Sequence, residues 1–205
     1  MKIKNTKILL WNYLEQRNER RQKGDLIMKK CLVIVDMLND FVAESGALKV
    51  EGAEALIPNI NILKEKFDNV IFVNDNHAKD DPEFEAFPPH CVENTEGADI
   101  YNGIVVDKSD VVFTKVKLSC FTNPEVHKYL LKERVDEIVV VGVATEFCVR
   151  GAVLDALNLG LKVTIVVDAI AGCDLTQGDQ FKVLIEMGKA GAYAVHTCDI
   201  VGGKK

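Results

Sequence analysis

The chain has 205 residues, of which 48% are hydrophobic and 27% are charged, and its formal net charge is -6 at pH 7. This composition is typical of a globular domain with a substantial apolar core. The acidic balance and the lack of a basic block in the sequence argue against a nucleic-acid partner. No apolar run is long enough to span a membrane. The short run Ile8–Trp11 is followed by charged residues instead of a signal-peptide cleavage site, so we expect a cytoplasmic protein.

Residues 1–28 are predicted to be an appendage to a single domain that spans residues 29–205. They are charged and weakly patterned, which is compatible with a helix over Thr6–Arg21 or with disorder. Strong apolar patterning begins only after Met28.

From residue 30 onward, short apolar runs alternate with helical stretches. Runs this short and this continuously apolar are typical of strands buried on both faces of a parallel sheet. Strands are predicted over Cys31–Asp36, Val70–Asn74, Val111–Thr114, Glu137–Val141, Lys162–Val167 and Ala192–His196. Helices are predicted over Gly52–Phe67, Pro124–Lys132, Glu146–Leu159 and Gln177–Gly188. The alternation predicts a three-layer α/β/α fold with a central, mainly parallel six-stranded sheet.

Residues 75–110 break this alternation. They form a polar, proline-bearing connection between the second and third predicted strands, and connections of this length are usually functional or disordered. The sequence has no glycine-rich phosphate loop of the GxGxxG or Walker type, so a nucleotide cofactor is not expected.

Reactive side chains follow the ends of four predicted strands. Asp36 ends the first strand, and Asp75 and His77 follow the second. Lys115 ends or follows the third, and Cys148 follows the fourth. Ligands of open α/β sheets bind beyond the carboxyl ends of the strands. The sequence therefore predicts an active site at this edge of the sheet.

Cys148 is a candidate nucleophile because it lies in the first turn of a predicted helix. Backbone N–H groups and the helix dipole favour a thiolate at such a position, and the same N–H groups can stabilise an oxyanion. A free cysteine is also frequently a small buried apolar residue. That second interpretation is kept for the other cysteines, which are Cys31, Cys91, Cys120, Cys173 and Cys198.

Asp36 is the candidate proton acceptor and donor, since no histidine is near Cys148 in the sequence. We expect the first and fourth strands to be neighbours, which would bring Asp36 within reach of Cys148. A buried carboxylate beside a thiolate requires positive charge, and Lys115 is the candidate cation. The alternatives are that Asp36 caps a loop, that Lys115 is solvated, and that Lys117 supplies the charge.

Asp75, His77 and His90 are candidate metal ligands. Asp75 and His77 lie on the same side of an extended chain, and His90 follows two prolines that stiffen the loop. Two histidines and a carboxylate suit Zn²⁺, with iron and manganese as alternatives. Glu83 is a further candidate ligand, either directly or through water. The alternative is that all of these are solvated loop residues.

These residues together resemble the isochorismatase-like cysteine hydrolases and, within them, the nicotinamidases (pyrazinamidases). The resemblance covers about residues 30–200. The cysteine motif in Gly142–Val149 is typical of the superfamily. The combination of Asp75-Asn76-His77 with Pro88-Pro89-His90 is more specific to nicotinamidases.

The resemblance implies a Rossmann-like hydrolase fold and an Asp36–Lys115–Cys148 triad in which Cys148 attacks a carboxamide to form a thioester. It implies a cis peptide bond before Ala144 and an oxyanion held by the N–H groups of Ala144 and Cys148. The implied ligands of a divalent metal ion are Asp75, His77, His90 and Glu83. The implied contacts to the substrate ring are Phe41 and Phe87.

The activity implied by the resemblance is hydrolysis of nicotinamide to nicotinic acid and ammonia, with the metal ion holding the pyridine nitrogen, and deamidation of pyrazinamide. The resemblance also implies a homo-oligomer. Two alternatives stay open: an amidohydrolase of the same superfamily that acts on a carbamoyl or ureido substrate, and a metal- or ligand-binding relative without catalytic activity.

Overall fold

The computed structural model describes residues 28–202, so the predicted appendage lies outside the described residues except for Met28. The strands are β1 Lys30–Val35, β2 Val70–Asp75, β3 Val111–Lys115, β4 Glu137–Val143, β5 Lys162–Ala171 and β6 Tyr193–Val195. The α-helices are α1 Asn39–Val42, α2 Ile57–Lys64, α3 Pro124–Lys132, α4 Arg150–Asn158, α5 Asp179–Ala190 and α6 Thr197–Val201. No helix within residues 28–202 is long and apolar enough to cross a membrane.

The strands form one parallel sheet in the order β3-β2-β1-β4-β5-β6. The chain builds outward from β1 to β3, returns to the other side of β1, and builds outward again to β6. The boundary between β1 and β4 is therefore the switch point of the sheet, where ligands of such folds bind. The predicted parallel six-stranded α/β sheet is confirmed.

Apolar cores lie on both faces of the sheet, as the buried strand β4 illustrates. Val139 and Val141 point into one core with α2, whereas Ile138 and Val140 point into the other core with α3, α4 and α5. A strand with both faces covered must be apolar at successive positions, which is why β4 reads as a continuous apolar run.

The prediction that every strand is buried on both faces is wrong for β3 and β6. Exposure alternates along β3, where Val112 is 48% exposed, and Tyr193 of β6 is 67% exposed. Both strands are at the edges of the sheet, so one side of each is open and burial along them is incomplete.

All six strands end one to four residues away from the predicted ends, and backbone conformation explains two of these differences. β1 ends at Val35 because Asp36 has a φ of 53° and leaves the extended region. β5 continues to Ala171 through a shift of register against β4. Asp168 in this irregular stretch is held by Thr197, whose backbone N–H donates to Asp168 Oδ1 at 2.8 Å.

Proline, glycine and one capping residue determine where three of the helices begin or end. α2 begins at Ile57, with Pro58 in its first turn, where a missing N–H costs nothing. Asn123 caps α3 as predicted, since its side chain accepts from the N–H of Glu125 at 2.9 Å. α5 begins after Gly178, which has a φ of 85°, and ends before Gly191, which has a φ of 115°. Helices α1 and α6 were not predicted.

Gly142 brings the end of β4 against the end of β1. Its φ is 107°, and a Cβ atom at this position would lie 2.0 Å from the carbonyl oxygen of Val35. Only glycine accommodates both the conformation and the close approach. The residues after Val35 and after Gly142 are thereby placed side by side at the switch point.

Candidate active site

Lys115 is the centre of a buried cluster of charged and nucleophilic groups. Its Nζ lies 2.8 Å from Asp36 Oδ2, 2.5 Å from Asp75 Oδ1 and 3.3 Å from Cys148 Sγ. All four side chains are buried. The structure thus brings together the three residues of the predicted triad and one predicted metal ligand.

The position of this cluster is determined by the carboxyl ends of β1, β2 and β3. Asp75 and Lys115 are register partners at the last positions of β2 and β3. Asp36 follows β1, and its Oδ1 accepts a hydrogen bond from the backbone N–H of Asp75 at 2.7 Å. The carboxylate of Asp36 is therefore fixed at one oxygen by the backbone, while the other oxygen faces Lys115.

The charges of the cluster depend on one another. Burial, together with the nearby charge of Asp75, raises the pKa of Asp36 to about 6, against the opposing influence of Lys115. Burial lowers the pKa of Lys115, but the negative charges of Asp36 and Asp75 and the hydrogen bond to Asp36 outweigh burial and hold that pKa well above its ordinary value. The site therefore favours the charged form of Lys115, which stabilises negative charge on its neighbours.

Cys148 lies in a π-helical turn, Thr145–Val149, that leads directly into α4. The expected thiolate is not favoured: burial raises the pKa of the Cys148 thiol well above its ordinary value, and Lys115 only partly opposes this. Desolvation of a buried thiolate is the largest influence on this thiol, larger than the opposing charge of Lys115. Burial therefore favours the neutral thiol, and a carboxylate oxygen of Asp36 lies within 4.8 Å of Cys148 Sγ.

The turn that carries Cys148 begins at a cis peptide bond between Val143 and Ala144, at the position implied by the sequence resemblance. The carbonyl oxygen of Ala144 accepts from the N–H groups of Phe147 at 3.0 Å and Val149 at 3.2 Å. These bonds hold Ala144 and Cys148, the two predicted oxyanion residues, within one compact turn.

Asp75, His77 and His90 form a second group beside the first. One ligand atom from each residue lies within 4.8 Å of the others. His77 Nε2 is buried and has no hydrogen-bond partner within residues 28–202. His90 Nδ1 lies 2.7 Å from the carbonyl oxygen of Pro88, so Nδ1 donates to that oxygen and Nε2 is the ring nitrogen left for a metal ion. This donor set fits a divalent metal ion.

Glu83 lies at the edge of that group. It belongs to the short 3₁₀ helix Pro82–Glu85 and clusters with His77 and Asp81, not with His90. Glu83 Oε2 is 3.9 Å from the Nζ of Lys117, whose side chain is 61% exposed. Lys117, the alternative cation, therefore faces Glu83 at the surface, and Lys115 occupies the position beside Cys148.

A cavity of about 150 Å³ opens onto both groups. Its lining comprises Phe41, Leu48, Val50, Asp75, Glu83, Phe87, His90, Leu118, Ala144, Phe147, Cys148, Cys173 and Leu175. The predicted ring contacts Phe41 and Phe87 both line it, and their ring centroids are 5.5 Å and 6.4 Å from that of His90. The cavity is shaped by apolar and aromatic walls, with a few polar groups at its base.

The sequence analysis missed two groups of residues around this cavity. Asp81 Oδ2 lies 3.1 Å from His77 Nδ1. The sequence could have indicated this contact, because Asp81 follows the candidate ligand His77 by four residues. Glu146 binds the backbone of Cys173 and Asp174. Leu175 lines the cavity from the same segment. Nothing in the local sequence pattern relates Glu146 to that distant segment.

Comparison with known proteins gives consistent matches. A sequence profile described as the isochorismatase domain matches residues 30–198. The nicotinamidase/pyrazinamidase of Mycobacterium tuberculosis is 35% identical over 162 residues, covering 70% of this chain and 87% of that protein. The solved structure of pyrazinamidase of Pyrococcus horikoshii in complex with zinc has a TM-score of 0.77 and 31% identity, covering 82% of this chain and 99% of that chain. N-carbamoylsarcosine amidase from Thermoplasma acidophilum has a TM-score of 0.74 and 27% identity, covering 83% and 97% respectively.

The chain belongs to the isochorismatase-like hydrolase superfamily, whose domain matches most of its length. Within that superfamily, its similarity to a nicotinamidase/pyrazinamidase and to a pyrazinamidase confirms the resemblance to the nicotinamidase family that the sequence predicted. A further structural neighbour is named for a carbamoyl substrate, so the superfamily acts on more than one kind of amide.

Proposed function

We propose that this chain is a nicotinamidase that hydrolyses nicotinamide to nicotinic acid and ammonia through a thioester on Cys148. The observation that carries the proposal is the shared cavity: Cys148 lines it together with Asp75 and His90, and the aromatic rings of Phe41 and Phe87 form its walls. A flat heteroaromatic ring stacks favourably in such a cavity, with its carboxamide directed toward Cys148.

Acylation begins with the thiol of Cys148. Asp36 accepts the thiol proton as Sγ attacks the carboxamide carbon, which gives a tetrahedral oxyanion. The C–N bond then breaks, and the proton held on Asp36 passes to the leaving nitrogen, so that ammonia departs and a thioester remains. The raised pKa of Asp36, about 6, suits a group that both accepts and returns a proton near neutral pH.

Deacylation repeats the same proton transfers with water. Asp36 removes a proton from a water molecule that attacks the thioester carbonyl, the C–S bond breaks, and the proton returns to Cys148. Backbone N–H groups of Ala144 and Cys148 stabilise the oxyanion in both halves. Lys115 keeps its charge throughout and balances the negative charge that moves between Asp36 and Cys148.

Asp75, His77 and His90 would hold a divalent metal ion, with Glu83 as a further ligand. When bound, the ion would hold the pyridine nitrogen of the substrate and orient its ring. We propose zinc, with iron and manganese as alternatives, because two imidazoles and a carboxylate suit these metals. Pyrazinamide also has a ring nitrogen and a carboxamide, and we expect it to be hydrolysed as well.

Ammonia release from nicotinamide by the purified protein tests this proposal. We expect release in the metal-replete protein, loss of release after treatment with a chelator, and recovery when Zn²⁺ is added back. A metal-replete protein that releases no ammonia from nicotinamide would contradict the proposed activity.

A carbamoyl amide is the second candidate substrate, favoured by the structural similarity to N-carbamoylsarcosine amidase. The same triad would attack a carbamoyl carbon, but such a substrate has no ring nitrogen for a metal ion. Ammonia release from an N-carbamoyl amino acid that persists after chelation, without release from nicotinamide, would favour this second candidate.

Asp81 is expected to position His77 for metal binding. Its Oδ2 is 3.1 Å from His77 Nδ1, while its Oδ1 accepts from the N–H of Glu83 at 2.9 Å. Asp81→Asn keeps an acceptor oxygen for Glu83 but removes the negative charge beside His77. Loss of such a partner typically weakens metal affinity about 10–100-fold.

Competition with a chromogenic chelator measures that affinity. Asp80→Asn is the matched control, because Asp80 is the adjacent, exposed carboxylate, and this variant should bind metal as the unmodified protein does. Equal Zn²⁺ affinities for Asp81→Asn and Asp80→Asn would show that Asp81 does not support His77.

A further inference from the structure

We propose that Glu146 is a positioning residue that holds the segment Gly172–Gly178 over the mouth of the cavity, where Leu175 contacts the substrate ring. This covering segment is defined by residues 172–178. The identity of the substrate in this inference rests on the proposed function. The position of the covering segment rests on hydrogen bonds that do not depend on that function. Glu146 is two residues before Cys148 in the same turn, yet its carboxylate is not part of the Lys115 cluster.

The carboxylate of Glu146 binds two successive backbone N–H groups of the covering segment. Glu146 Oε1 accepts from Asp174 N at 2.6 Å, and Glu146 Oε2 accepts from Cys173 N at 3.2 Å. Hydrogen bonds to an ionised acceptor are stronger than neutral ones. The Glu146 side chain therefore connects the loop after β5 to the turn that carries Cys148.

Gly172 leaves space for the Glu146 carboxylate because it has no side chain. A Cβ atom on Gly172 would lie 2.1 Å from Glu146 Oε2, so any larger residue would displace the carboxylate. The obstacle is the end of a flexible side chain, which can rotate away without moving the backbone. A substitution at position 172 would therefore disturb the hydrogen bonds between Glu146 and the segment without changing Glu146 itself.

The other end of the covering segment is fixed to the start of α5. The N–H of Thr176 donates to Asp179 Oδ2 at 3.1 Å, and the N–H of Gln180 donates to Asp174 Oδ1 at 3.2 Å. Between these anchors stands Leu175, which is 77% exposed and lines the cavity. Because both ends are held, the position of Leu175 depends on Glu146 at one end and α5 at the other.

Leu175 gives the segment its effect on the substrate. An exposed leucine on a protein surface is ordinary by itself, but this side chain and Cys173 line the same cavity as Cys148. A ring bound in the cavity would cover apolar surface of Leu175, and that burial stabilises the complex. The segment therefore affects substrate binding more than the reaction at Cys148.

Steady-state kinetics of Glu146→Gln is the first test. Glutamine keeps the size of the side chain, but its NH₂ group faces one of the two N–H donors and cannot accept from it. We expect KM for nicotinamide to rise about tenfold, as loss of a charge-assisted hydrogen bond predicts, with kcat kept within about threefold. Gly172→Ala and Leu175→Ala should also raise KM. Glu186→Gln is the matched control, since Glu186 is an exposed carboxylate whose partner is Arg150.

Alkylation of Cys148 by iodoacetamide, followed by peptide mass spectrometry, is the second test and requires no turnover. We expect Glu146→Gln and Leu175→Ala to speed modification of Cys148 about tenfold relative to Glu186→Gln, because the cover is loosened or shortened. Leu175 carries no charge, so faster alkylation in its variant cannot come from altered electrostatics. Leu175 is also exposed, so we expect Leu175→Ala to fold, and its alkylation rate can be measured even if Glu146→Gln does not fold.

Two results would overturn the inference. Unchanged KM in all three variants, together with unchanged alkylation rates in Glu146→Gln and Leu175→Ala, would show that the segment does not cover the cavity. A fall in kcat at constant KM in Glu146→Gln would show that Glu146 supports the nucleophile turn instead. If the unmodified protein does not hydrolyse nicotinamide, the proposed function fails, and the alkylation rates still decide whether Glu146 holds the cover.

Discussion

Replacement of Cys148 by alanine is expected to lower kcat/KM for nicotinamide by at least about 10⁴-fold, as removal of a nucleophile does in other hydrolases. Lys115 and Asp36 remain in this variant, but no group is left to form the thioester. The substitution removes one sulfur atom from a buried site, so we expect a loss of unfolding free energy of only about 1 kcal/mol. Ammonia release and urea unfolding measure the two quantities separately.

Cys198→Ala is the matched control for this experiment. Cys198 is an exposed free thiol in α6, and its variant should keep full activity and stability. Activity of Cys148→Ala within tenfold of the control would refute covalent catalysis and would indicate direct attack of water on the amide.

Lys115→Met is expected to lower activity and stability together. The two carboxylates that contact Lys115, Asp36 and Asp75, would remain buried without their cation. Breaking a buried ion pair in this way typically costs about 3–5 kcal/mol of unfolding free energy. We expect kcat/KM to fall by about 10³-fold or more, because Asp36 would take up a proton and could no longer accept one from Cys148.

Lys64→Met separates the two effects. Lys64 is a second buried lysine that pairs with two aspartates, Asp107 and Asp110, and it does not line the cavity that contains Cys148. Its replacement should lower the unfolding free energy by a similar amount while kcat/KM of the folded fraction stays within about threefold. Full activity in folded Lys115→Met would contradict the role proposed for this lysine.

The sheet was predictable because its strands are chemically uniform. β4 and its neighbours are buried on both faces, so continuous apolar runs identify them without any knowledge of their partners. The edge strands β3 and β6 were found by the same criterion, but the burial pattern expected of them was wrong because edge position is a property of the whole sheet. The end of β1 was misplaced by one residue, since a left-handed aspartate cannot be distinguished from an extended one by residue type alone.

The residues of the candidate site were predictable to the extent that they follow strand ends. Asp36, Asp75 and Lys115 meet because parallel strands end at one edge, which converts sequence position into spatial proximity. The rise in the pKa of Cys148 could not be predicted, because it depends on burial by residues from several elements. Asp81 and Glu146 were missed for the same reason: each acts through a contact that only the folded chain creates.

The direction of the strands also determines on which side of the sheet Met28 and Ile200 lie. Met28 and Ile200 both line a groove at the edge where β1, β2 and β4 begin, opposite to the edge that carries Cys148. β1 has six residues, which separates the two edges by about 20 Å at the usual rise of a strand. A surface linkage made at Met28 or at Gly202 would thus turn the cavity outward, so immobilised protein should exchange substrate and product with solution without obstruction.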